Sequence, residues 1–190
     1  MEGKITHLLQ QLPVAAQSIT QTSYVPTRLR PSAISVETKA TKGTEDKARI
    51  QLALWVATHF NKMQALINAR RTLLLERGIE EDGPALRIPF HPIIVTDARV
   101  FTVMYAIEIF HDAAPPSPPL PLPPRSENVL RIGDTTNGRQ STIYIQEGPQ
   151  FDAPSSLLEA YRSLAAMRCL GKWADTDFRK WFEEELMADL

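Results

Sequence analysis

Residues 99–110, RVFTVMYAIEIF, constrain the fold more than any other stretch. Phe101, Val103, Tyr105, Ile107 and Ile109 recur at every second residue, which is the period of a strand. Between them stand Met104, Ala106 and Phe110, so the second face is mostly apolar too. A strand that is apolar on both faces must be covered on both. The stretch is therefore expected at the centre of a sheet with layers on either side.

The flanking segments supply such layers. Residues 32–40 alternate, with Ile34, Val36 and Thr38 on one side and Ser35, Glu37 and Lys39 on the other. Lys42 and Gly43 break the pattern, and Thr44 is a good N-cap with Glu45 and Asp46 in the first turn behind it. A long helix over about 44–76 follows, with Ile50, Ala53, Leu54, Ala57, Phe60, Leu66 and Ile67 as its apolar stripe. A shorter helix is expected over 4–12, ending before Pro13, and a turn-rich loop over 77–85. Residues 87–95, RIPFHPIIV, read as a strand whose Pro89 and Pro92 suggest an edge or a bulge at its start.

Beyond the central strand, residues 113–125 contain seven prolines, and a Pro-rich surface loop is expected over 113–126. Leu120 breaks the spacing that an SH3-type docking motif would need. Short strands are expected near 128–133 and 141–146, joined by a turn at Asn137-Gly138. Two helices close the chain, about 154–170 with Pro154 at its start and about 175–188, separated by Gly171. Trp173, Phe178, Trp181 and Phe182 should anchor the last one. Strands and helices thus alternate in one domain of 190 residues, either α/β or α+β.

Composition narrows the function classes. One cysteine, Cys169, allows neither an internal disulfide nor a cysteine-based metal site, and fits a reducing, intracellular compartment, cytoplasmic or nuclear. No apolar run is long enough to span a membrane, and the first residues lack a signal-peptide pattern. Charge is uneven. Residues 1–77 carry eleven Lys/Arg and five Asp/Glu, a net of +6, and residues 78–190 carry ten and seventeen, a net of −7. The basic part suits an anionic partner, DNA or RNA, and equally a self-complementary surface. Arg28, Arg30, Arg70 and Arg71 are candidate phosphate contacts. His7, His59, His91 and His111 show no metal-ligand spacing, and neither a nucleophile elbow nor a glycine-rich phosphate loop occurs.

The chemistry-bearing pattern is Glu37-Thr38-Lys39. Residues two apart on a strand share a face. A carboxylate there can hold a divalent cation through hard oxygen ligands, and a lysine beside it can orient water and stabilise charge developing on phosphorus. The same spacing in Glu45-Asp46-Lys47 opens a helix, where the acids are explained by capping. A solvated ion pair at a strand end remains the alternative for Glu37 and Lys39.

Three blocks then carry a resemblance. RPSAISVETK (30–39), QLALWVATHF (51–60) and GKWADTDFRKWFEEEL (171–186) resemble segments of a fungal family in the PD-(D/E)XK nuclease-like superfamily, with coverage from about residue 17 to the end. The resemblance implies an α/β, restriction-endonuclease-like core with a central mixed β-sheet flanked by helices. It implies Mg²⁺-dependent hydrolysis of nucleic acid, with Glu37 and Lys39 as the second catalytic motif and Gln51 as the helix glutamine near the site. The superfamily also places an acid upstream, yet no Asp or Glu stands between Glu2 and Glu37. Glu45 is the first candidate replacement ligand and Asp97 a remoter one. The alternative is a nuclease fold kept as an inactive binding or scaffold module, or recruited to another role.

Overall fold

The computed structural model describes residues 1–20, 24–38, 45–79, 85–96, 100–111, 128–132, 140–152 and 156–190. Along the chain these form α1 (Glu2–Gln10), a 3₁₀ turn (Val14–Ala16), β1 (Ser35–Thr38), α2 (Glu45–Glu76), β2 (His91–Thr96), β3 (Val100–His111), β4 (Asn128–Ile132), β5 (Gln140–Asp152) and α3 (Leu157–Trp173). Wide π-type turns at Ala174–Phe178 and Trp181–Leu186 continue α3.

The described strands make one five-stranded sheet in the order β1-β2-β3-β5-β4. β1 and β2 run parallel, and every other pairing is antiparallel. The chain is thus α/β with a mixed sheet and helices. β3 is the middle strand, as its two apolar faces require. Val103 and Met104 point to opposite sides and are 1% and 7% exposed. Cover thins towards its far end, where Ile107, Ile109 and Phe110 are exposed.

β2 is an interior strand, not an edge, although it contains Pro92. Its ladder with β1 begins only at Ile93, so a residue without an N–H at position 92 interrupts nothing on that side. β5 runs on to Asp152, past Gly148 and Pro149 and well beyond the expected 141–146. These two residues lie in a bulge opposite Thr102–Met104, where three steps of β5 match two of β3. At Gly148 a Cβ would lie 2.7 Å from Tyr105 Cε2 and 2.8 Å from the Val103 carbonyl oxygen, so the close approach requires glycine.

α2 spans nearly its expected range, but its inward face differs. Leu52, Val56, Phe60, Met63 and Leu66 are buried, whereas Ile50 and Leu54 are each 67% exposed. Several apolar residues on both sides of the helix fit the period, and the sequence alone does not choose between the two stripes. The helix ends at a Schellman motif. Ile79 N–H donates to the Leu74 carbonyl, Gly78 N–H to that of Leu75, and Gly78 takes φ 72°.

α3 starts later than expected, at a capping box. Ser156 Oγ accepts from Glu159 N–H, and Glu159 Oε2 accepts from Ser156 N–H, both at 3.2 Å. Gly171 lies within the helix rather than separating two. Thr44, Pro154, the Asn137-Gly138 turn and the Pro-rich stretch 113–126 lie outside the described residues.

The chain divides into two compact units, Met1–Ala33 with Thr58–Pro89 and Met167–Leu190, and Ile34–Ala57 with Phe90–Ala166. The first is helical. Its core joins Leu8 and Leu9 of α1, Met63 and Leu66 of α2, and the aromatic group Phe178, Trp181 and Phe182. Phe178 lies with its ring centroid 5.8 Å from both Trp173 and Trp181, the anchoring expected of these residues. The second unit holds the sheet.

Candidate active site

β1 is short, and its burial alternates. Val36 is 61% exposed, while Ser35 and Glu37 are half-buried on the opposite face. The expected alternation holds, and the inward side is the one that carries Glu37. Cross-strand register defines the surroundings of the carboxylate. Glu37 lies beside Val95 of β2, and Val95 beside Thr102 of β3. Ser35 lies beside Ile93, itself fully buried. The sheet under Glu37 is therefore apolar or neutral, a setting in which a carboxylate gains from a cation beside it.

A side-chain bond ties this face together. Ser35 Oγ and His91 Nε2 share a hydrogen bond of 2.8 Å across the β1–β2 seam. His91 is 1% exposed, and burial pushes its imidazole down to about 4, so the ring is neutral at physiological pH. It stands two residues before Ile93, on the same face as Ser35 and Glu37. Sequence reasoning passed over this pair. The two residues are 56 apart, and nothing in either segment reveals their register.

The other candidates fall as follows. Gln51 is exposed on α2 and belongs, with Glu37, to the sheet unit. Glu45 is the first residue of α2, with its side chain outside the described set, and Lys39 and Asp97 lie outside the described residues. Arg28, Arg30 and Arg71 are exposed in the helical unit. Arg70 is not a surface contact. It is 8% exposed, and burial lowers its pKa against a counteracting pull from Asp189. His59 is a packing residue, 2% exposed, with its ring edge-on to Phe60.

A short strand that carries Glu37, a long helix, and then a strand parallel to the first follow one another in the chain. A family model of the PD-(D/E)XK nuclease superfamily matches residues 1–179. The chain belongs to that superfamily. No curated protein and no solved structure matches it. PD-(D/E)XK nucleases typically use divalent metals. The donor that the structure describes fits such an ion in kind. Glu37 offers hard oxygens from a half-buried position, and Mg²⁺ is usually held by one or two carboxylates plus substrate phosphates. Among the described residues no group of three or more His, Cys, Asp or Glu could hold a metal. No helix among the described residues is long and apolar enough to cross a membrane.

Proposed function

We propose that this PD-(D/E)XK protein hydrolyses phosphodiester bonds of nucleic acid with Mg²⁺, inside the cell. The observation that carries the reading is the position of Glu37. A member of a nuclease superfamily has the glutamate of its Glu-x-Lys motif half-buried on β1, beside Val95 of β2, with the long helix as the next element in the chain. Glu37 would hold the ion, with Glu45 as the second carboxylate. Bound there, Mg²⁺ supplies Lewis-acid polarisation of the phosphodiester. Lys39 orients the attacking water and counters the negative charge that grows on the phosphoryl oxygens. Gln51, in the same unit as Glu37, hydrogen-bonds near the reacting group.

The test is cleavage of single- and double-stranded DNA and RNA in Mg²⁺ or Mn²⁺, wild type against Lys39→Ala. Loss of an activating residue of this kind lowers turnover by about 10²- to 10⁴-fold. Equal cleavage by both proteins removes Lys39 from the mechanism. Nucleic-acid binding without cleavage in either protein would instead assign the fold to a binding or scaffold role.

A further inference from the structure

We propose that His91 is a positioning residue, a pin that holds β1 in the register at which Glu37 faces inward. The inference rests on the reading of Glu37 as a metal ligand, and its geometry stands apart from that reading. β1 has four residues, and its described ladder is the parallel one with β2. Parallel pairing is slightly less stable per residue than antiparallel. A slip of one residue would turn Glu37 to the face now held by the exposed Val36, since side chains alternate across a strand. Backbone hydrogen bonds do little to prevent such a slip, because every residue of β1, and every residue of β2 except Pro92, offers the same groups. Side chains must do so.

Ser35 supplies that discrimination. It lies on the face of Glu37, two residues before it, and its hydroxyl meets His91 Nε2 at 2.8 Å. His91 is enclosed at 1% exposure, so packing fixes where its ring nitrogen points. In the slipped register Ser35 Oγ would lie on the far side of the sheet and the bond would be lost. The other contacts of the inward face, such as Ile93, are apolar and tolerate sliding better than a directional bond does. Support of this kind for a metal-binding carboxylate is worth about 10- to 100-fold in affinity or activity where it has been removed.

The experiment compares wild type, His91→Phe, His91→Gln and Ser35→Ala by two readouts. The first is amide hydrogen exchange at residues 35–38 against the amides of β3 and β5. The second is Mn²⁺ affinity by calorimetry, at a temperature where each protein is folded. The expected result is exchange at residues 35–38 at least tenfold faster in His91→Phe and Ser35→Ala, with β3 and β5 unchanged. Mn²⁺ affinity should fall about 10- to 100-fold in both. His91→Gln, which keeps a polar group able to reach Ser35, should recover most of each loss. Equal changes at β1, β3 and β5, with Mn²⁺ affinity intact, would reduce His91 to ordinary core packing and overturn the proposal. If wild type itself binds no Mn²⁺, the metal reading of Glu37 fails, while the exchange data still decide whether His91 pins the strand. If His91→Phe does not fold, Ser35→Ala, which loses only a hydroxyl at a half-buried position, carries both readouts.

Discussion

His91 also sets a stability profile that can be read by titration. Burial holds its folded-state pKa near 4, against about 6.5 for an exposed histidine. Between those values the unfolded chain binds the extra proton and the folded chain does not, so stability rises with pH across the window and is lost as pH falls through it. At about 1.36 kcal/mol per unit, the loss from pH 6.5 to pH 4 attributable to this residue is about 3 kcal/mol. Urea unfolding of wild type and His91→Gln at both pH values measures it, and wild type should lose more by that amount. An equal loss in the two proteins would show that His91 is not titrating between fold and coil. At this scale the face of Glu37 was legible in the sequence, because alternation along residues 35–38 assigns it. The tie between Ser35 and His91 was not, since it depends on which residue of β1 meets which residue of β2.

Elements were legible in kind and blurred at their ends. β3 showed itself by two apolar faces and α2 by its length and its first-turn acids. β5 was expected near 141–146 and runs over Gln140–Asp152, because a bulge at Gly148 and Pro149, opposite Thr102–Met104, keeps the strand running. Gly148→Ala tests that account. Its methyl would meet the Val103 carbonyl oxygen, which cannot rotate away, so a loss of about 1–3 kcal/mol is expected, read as a lower thermal midpoint. An unchanged midpoint would mean that the two strands separate there at no cost. The helix expected from about 154 is described from Leu157, where Ser156 and Glu159 carry the spacing of a capping box. Ser156→Ala removes the acceptor of the Glu159 amide and should cost about 1 kcal/mol in urea unfolding. No change would show that the cap adds nothing to water. The inward stripe of α2 could not be chosen from sequence, because burial there is decided by which side meets the rest of the chain.

For the whole molecule, the superfamily and the α/β class rest on features spread over most of the chain, and the match over residues 1–179 agrees with them. The division into a helical unit and a sheet unit has no counterpart in composition, because α2 and α3 each contribute residues to both. A basic first part of the chain is consistent with a phosphate-backbone partner. Binding of that kind weakens linearly in log K with log salt, with a slope of about −0.9 per phosphate neutralised on duplex DNA and about −0.7 on single strands. The central claim, that β1 presents Glu37 to a divalent ion, is tested most directly by a crystal structure grown or soaked with Mn²⁺. The account predicts an anomalous peak within about 2.0–2.3 Å of a Glu37 carboxylate oxygen, absent in Glu37→Ala. A fully soaked crystal with no metal at Glu37, or one with the ion bound elsewhere, would contradict it.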